Sequence, residues 1–293
     1  MRIADFDADH RFANVNGIRM HYVERGQKGR PLVLLLHGFP EMWWSWRHQI
    51  DPLVEAGFRV VAPDLRGYAQ TDRIAPYDID TLTADVCALV DHLGEKNAIV
   101  VGHDWGGGVA WHLAATRSEH CQKLVVMNCP HPAMLQRALL TKWSQIKRSW
   151  YMFFFLIPKL PERWLVRDRA SIVARIFRAA AVDKSRFGRE DVEPYREAML
   201  LPGAAHAAIE WYRTSLRAGV SREGRNRKYP RISAPTLLVW AMDDVALGYE
   251  DLVPGTDRLV SSLRIERIDR CGHFVQTECP ERVNPLLIDF VRT

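Results

Sequence analysis

The sequence predicts an α/β fold, a mostly parallel sheet interrupted by one long helical insertion. Three observations predict it. Short, continuous apolar runs recur along the chain, stretches with helical spacing separate them, and between about Pro130 and Tyr229 the alternation stops. Apolar runs without alternation suit parallel strands buried on both faces. A long stretch with helical patterns alone suits a module laid over such a sheet.

Taken in order, Arg11 to Glu24 reads as a hairpin turning at Asn16-Gly17, a pair that accepts the positive φ of a two-residue turn. Pro31-Leu-Val-Leu-Leu-Leu-His-Gly, Phe58-Arg-Val-Val-Ala-Pro-Asp and Asn97-Ala-Ile-Val-Val-Gly read as central strands. Cys121-Gln-Lys-Leu-Val-Val-Met-Asn, Pro235-Thr-Leu-Leu-Val-Trp-Ala and Leu263-Arg-Ile-Glu-Arg-Ile add three more of the same kind, which brings the sheet to eight strands. Leu82, Val86, Leu89, Val90 and Leu93 recur at helical spacing, as the crossover of a βαβ unit requires. The stretch 131–229 is rich in aromatics and arginine and has no convincing strand run. It reads as a helical cap, with the core formed by 1–130 and 230–293.

Composition narrows the class. The 293 residues are 47% hydrophobic and 26% charged, the ordinary balance of a globular protein. The net charge of +5 is mildly basic. Part of the excess, Arg222, Arg225, Arg227, Lys228 and Arg231, reads as a solvated loop and not as a nucleic-acid patch. The acidic, charge-broken start is not a signal peptide. The most apolar stretch, Trp150 to Pro158, is far short of the roughly 20 residues that span a bilayer. Cys87, Cys121, Cys129, Cys271 and Cys279 show no metal spacing and read as buried thiols of a reducing cytoplasm. The expected partner is a small molecule, with no nucleic acid and no membrane; a homodimer is left open.

The most informative residues are Gly102-His-Asp-Trp-Gly-Gly, directly after a strand run. This is the pattern of a nucleophile elbow, with Asp104 where a serine usually stands. A carboxylate is a poor acyl-transfer nucleophile, but it displaces leaving groups at saturated carbon and leaves an ester on the enzyme. Water then cleaves that ester at the aspartate carbonyl. The elbow therefore points to opening epoxides or removing halides more than to ordinary ester hydrolysis.

Other polar groups fall at predicted strand ends. His37-Gly38-Phe39-Pro40 follows the first central strand, and the backbone N–H groups of Phe39 and Trp105 would form a two-donor oxyanion hole. Asp243-Asp244 follows the Pro235 strand, and His273 follows the last. The order nucleophile, acid, histidine is that of an α/β-hydrolase triad.

With these pieces in place, the chain resembles the epoxide hydrolase group of α/β-hydrolases over essentially its whole length. The residues that carry the likeness are His37-Gly-Phe-Pro, Asp64-Leu-Arg-Gly-Tyr, Gly102-His-Asp-Trp-Gly-Gly, Asn128-Cys-Pro-His-Pro and Cys271-Gly-His-Phe-Val-Gln. The resemblance implies Asp104 as nucleophile, His273 as the base that activates water, and Asp244 as its acidic partner, with Asp243 the alternative. It also implies two cap tyrosines that protonate the opening epoxide. Tyr212, in Glu210-Trp-Tyr-Arg, matches the second. Tyr151 is the choice for the first, although a shifted register would put Phe154 there. His37 and His103 belong to the motif backbones, hold loops, and stand with Phe154 and Trp211 around the substrate pocket. His131 is expected to be structural. No cofactor and no metal are implied.

Haloalkane and haloacid dehalogenases resemble the same pattern. Trp105 would suit a halide, but the asparagine that haloalkane dehalogenases place after His-Gly is here Phe39. The arginines of fluoroacetate dehalogenases are here Trp105 and Gly108. A non-catalytic binding module is the remaining class, and the intact Asp104, Asp244 and His273 argue against it.

Overall fold

The structure is a computed structural model and describes residues 3, 6–221, 224 and 227–293. Arg222 and Arg225 of the basic cluster, and Met1, Arg2, Ala4 and Asp5 of the N-terminal stretch, lie outside the described residues. Arg227, Lys228 and Arg231 are exposed, as expected of a solvated loop, and the Arg227 guanidinium pairs with Asp80 at 2.6 Å.

Eight strands form one sheet in the order β1-β2-β4-β3-β5-β6-β7-β8. β1 (Asp9–Val15) and β2 (Ile18–Arg25) are the expected hairpin. Asn16 and Gly17 both have positive φ, 44° and 78°, as a type I′ turn demands. β2 is antiparallel to β4 (Arg59–Pro63), and every later pairing is parallel. β3 (Leu32–Leu36), β4, β5 (Ala98–His103) and β7 (Thr236–Ala241) are buried at every position. Helices α1 (Ile50–Glu55), α2 (Ile79–His92) and α3 (Asp104–Thr116) complete the first half of the core, the last two on either side of β5 in sequence.

β8 (Leu263–Ile268) departs from expectation. It is the edge strand, and only Ile268 is buried. As the last strand of the sheet it leaves Arg264, Ile265 and Arg267 exposed, so the reading as a strand buried on both faces is corrected.

β6 (Cys121–Met127) and β7 are neighbours in the sheet, although the chain between them is almost entirely helical. It contains α4 (Pro132–Thr141), α5 (Trp143–Arg148), α6 (Trp150–Phe154), α7 (Leu160–Ala179), α8 (Arg189–Leu200) and α9 (Ala204–Val220). α7 leaves helical geometry at 167–170, where three residues have positive φ. These helices lie over the carboxyl ends of the strands, the end at which α/β sheets gather their chemistry.

Candidate active site

Asp104 is the first residue of α3 and has φ 48°. A non-glycine residue in this region stores strain, and it holds there because the turn around it is packed without slack. A Cβ on Gly106 would lie 2.2 Å from the carbonyl oxygen of Leu36, and one on Gly38 would lie 2.4 Å from Asp104 Cβ. Glycine is required at both places. The result is a carboxylate pushed out at the top of the sheet.

Asp104 Oδ1 accepts a hydrogen bond of 2.9 Å from the Phe39 backbone N–H. Trp105 is the second residue of α3, so its N–H has no acceptor within the helix. Asp104 Oδ2 lies 3.5 Å from His273 Nε2, and His273 Nδ1 lies 2.7 Å from Asp244 Oδ2. The three side chains therefore form one line from carboxylate through imidazole to carboxylate. Asp243, the alternative acid, points to solvent and only its backbone N–H is engaged, by Cys271 O.

Asp244 is fully committed. Oδ1 accepts from the N–H groups of Ala246 and Leu247 at 2.8 and 3.0 Å, and Oδ2 accepts from His273 and from Asn128 Nδ2 at 2.7 Å each. Asn128 cannot turn over, because its Oδ1 accepts from Ala241 N. Burial alone would raise the Asp244 carboxyl, but the His273 charge and these donors outweigh it and hold its pKa low. Burial likewise opposes the ionised form of Asp104, and the His273 bond and charge again bring the pKa below the usual carboxylate range. The histidine shows the reverse. Burial disfavours its cation, yet Asp244 and Asp104 together raise its pKa well above 6.5. With both carboxylates ionised, the charged form of His273 is favoured.

The cap supplies the opposite wall. Tyr212 on α9 is buried, with its ring centroid 4.9 Å from Trp105 and 5.3 Å from Phe39. Tyr151 on α6 is half-buried, and its ring lies 6.0 Å from that of Tyr212. Burial and the Asp104 charge raise both phenol pKa values, so both keep a proton to donate. Trp211 is also buried and packs on Trp105 and Tyr68.

Three pocket expectations change. Phe154 turns toward Trp164 and Trp150, while Phe155 faces Tyr212 at 4.8 Å and Phe39 at 5.6 Å. His37 uses Nδ1 on Gly38 O and Nε2 on Leu65 N. His103 uses Nδ1 on Glu41 and Nε2 on His273 O. Each imidazole is spent on protein partners, which makes both of them loop holders with no nitrogen for a ligand. His131 caps α4 by accepting from Ala133 N.

Several supporting groups escaped the sequence reading. Glu41 is buried and accepts from Gly38 N, His103 Nδ1 and Gln276 Nε2. It sits one residue past His37–Pro40, and that adjacency is the signal that could have found it. Glu278 accepts from Gly272 N on the His273 loop and from Val182 and Asp183 N at the exit of α7. Gln145 on α5 bonds Ala246 O, Gly248 N and Ser149 Oγ, and Arg148 bonds the carbonyls of Asp244 and Val245. Glu278 and Gln145 carry no local signal. Cys271 and Cys279, distant from any pairing motif, are buried side by side with sulfurs 2.6 Å apart.

A sheet of this order with an aspartate at the strand-to-helix elbow and an Asp-His-Asp line defines an α/β-hydrolase. Residues 31–280 match the family model described as alpha/beta hydrolase fold, and the chain belongs to that family. Within it the chain belongs to the epoxide hydrolase group. It is 35% identical to epoxide hydrolase 4 of Mus musculus, over 94% of this chain and 77% of that protein. It is 38% identical to the AB hydrolase superfamily protein YfhM of Bacillus subtilis, over 96% and 97%. The crystal structure of Bacillus megaterium epoxide hydrolase in complex with an inhibitor superposes with a TM-score of 0.88 at 30% identity, covering 97% of this chain and all of that one.

Proposed function

We propose that the protein hydrolyses epoxides to vicinal diols through a covalent ester on Asp104. The observation that carries the reading is the Asp104 carboxylate 3.5 Å from His273 Nε2, with the paired cap tyrosines packed against its neighbour Trp105 through Tyr212. The relatives named as epoxide hydrolases support it.

In the first step Asp104 Oδ2 attacks an epoxide carbon and the carbon–oxygen bond of the ring breaks. One of Tyr151 and Tyr212 gives its single proton to the alkoxide, leaving a phenolate, while the other hydrogen-bonds to the same oxygen. Oδ1 remains with the Phe39 N–H, where negative charge develops when water later adds to the ester carbonyl. Alkylation also changes the base. Before it, two carboxylates favour the charged form of His273. After it, Asp104 is a neutral ester and one support is gone, so the histidine pKa falls. The Nε2 proton passes to the phenolate left by the first step, and Nε2 then takes a proton from the attacking water and returns it to the departing diol oxygen. Asp244 keeps the ring oriented throughout. The domain limits expected from the sequence, with 131–229 as a cap, fit this division of labour between a core nucleophile and cap acids.

The experiment is diol formation from styrene oxide beside halide release from 1-bromobutane and fluoroacetate, with Asp104→Ala as control. Diol that disappears in the variant supports the reading. Halide release without diol replaces it with a dehalogenase, and ester cleavage alone removes the alkyl-ester scheme. In Tyr151→Phe and Tyr212→Phe, alkylation slows without stopping, because one donor remains in each.

A further inference from the structure

The segment that carries Tyr151 inward carries a row of large apolar side chains outward. Trp150 and Phe153, one turn apart on α6, are 61% and 49% exposed, and Ile157 and Leu160 beyond them are 45% and 50% exposed. Every residue in 156–160 is exposed. Trp143 on α5 adds a further indole at 68%. Single exposed apolar side chains are normal, but five large ones within one stretch of the cap, two of them tryptophans, mark a contact surface.

The charge around the row is one-sided. Between 140 and 168 the cations are Lys142, Lys147, Arg148, Lys159, Arg163 and Arg167, and the carboxylates are Glu162 and Asp168. Arg167 pairs with Asp168 and Arg148 is spent on the carbonyls of Asp244 and Val245, which leaves Lys142, Lys147, Lys159 and Arg163. Glu162 is neutralised by Arg213 at 2.6 Å. Lys147 Nζ lies 5.5 Å from the ring centre of Trp143, so indole and ammonium share one face. Asp251, bonded to Ser144, is the acid that borders it from the core.

We propose that this face of the cap docks reversibly on a bilayer of anionic phospholipid. Indoles prefer the level of the headgroups, apolar neighbours enter the acyl boundary, and lysines and arginines meet the phosphates. A second copy of the chain fits less well, because a two-fold contact through one patch brings two basic rims together. Among the described residues no helix is long and apolar enough to cross a membrane, so the attachment is peripheral. The expectation of no membrane partner rested on spanning segments and on the Arg222–Arg231 loop, neither of which bears on this face. Docking would bring apolar compounds dissolved in the leaflet to the outer side of α6, about 10 Å from its inner side. That consequence rests on the epoxide reading; the docking itself does not.

The test mixes purified protein with vesicles of phosphatidylcholine alone, or with about one-third phosphatidylglycerol, and follows co-sedimentation and tryptophan emission. The native chain is expected to sediment with the anionic vesicles at least about tenfold better than with the neutral ones, and to be released by about 0.5 M salt. Lys147→Glu with Lys159→Glu lowers the partition constant about fivefold for each cation removed. Trp143→Ser diminishes the emission shift, and all three substitutions leave turnover of a water-soluble epoxide unchanged. Equal, weak sedimentation with both vesicles overturns the proposal. So does a dimer that forms with concentration and dissolves in Trp143→Ser without any vesicle binding. Vesicle binding without diol formation would instead sink only the proposed reaction, and diol formation without binding only the docking.

Discussion

Replacing Asp244 by asparagine removes one charge and almost no volume, yet four donors converge on that carboxylate. An amide has one oxygen and one NH2. If the oxygen faces the N–H groups of Ala246 and Leu247, the NH2 meets Asn128 Nδ2, a donor held in place by Ala241 N. The same NH2 then requires His273 Nδ1 to be an unprotonated acceptor, which moves the ring proton to Nε2 and aims it at Asp104. Turned the other way, the NH2 faces two backbone donors. Either orientation leaves at least one buried donor unsatisfied, at about 1–3 kcal/mol of stability. The wrong tautomer cannot take a proton from water. An equivalent asparagine substitution in a serine protease triad lowers turnover by roughly 10⁴, so ester hydrolysis here should fall by about 10³–10⁴, or about 4–5.5 kcal/mol of barrier. Alkylation needs only the Asp104 carboxylate and the phenols, and should suffer less. Asp244→Asn should therefore accumulate a protein adduct heavier by one epoxide, read by intact mass, while diol release nearly stops. Asp243→Asn, at an exposed side chain, serves as the control. Turnover of Asp244→Asn within about tenfold of native and without adduct, or equal damage from Asp243→Asn, would refute the reasoning.

Two further outcomes concern the cap junction. Gln145→Ala strips Ala246 O and Gly248 N of their buried partner and should cost about 2–3 kcal/mol in urea unfolding, with a slower second step as the Asp244 loop loosens; an unchanged midpoint and rate would exclude this clamp. His131, held by burial at a pKa of about 4 against 6.5 for an ordinary histidine, binds a proton more readily in the unfolded chain. Its contribution is present above pH 6.5 and lost as pH falls, reaching about 3 kcal/mol at pH 4. His131→Asn keeps the helix cap and removes the titration, so its urea midpoint should decline less steeply between pH 6.5 and 4, and parallel declines would remove His131 from the acid response.

The sheet and the elbow were legible because their causes are local. A strand buried on both faces is apolar along most of its length: β3 is so throughout, and β4, β5 and β7 depart from it at Arg59, His103 and Thr236, each at a strand end. A turn that brings Gly106 against Leu36 O leaves no room for a side chain, so the glycine spacing announces the elbow before any fold is known. His273 followed from its place after the last strand and the hairpin from Asn16-Gly17, whereas the two tyrosines were implied only by the family resemblance.

What only the tertiary structure decided depends on partners far along the chain. Asp243 and Asp244 are the same residue type in one dipeptide, and the backbone at the end of β7 sends one to solvent and the other to His273. The phase of a five-residue helix decided that Phe155, and not Phe154, faces Phe39 and Tyr212. The edge position of β8 came from sheet order, which no single strand encodes. Glu41, Glu278 and Gln145 stay buried only because donors and acceptors from distant segments surround them. Local residue types determined which chemistry this chain carries. The satisfaction of buried polar groups across the fold determined which residues hold that chemistry in place.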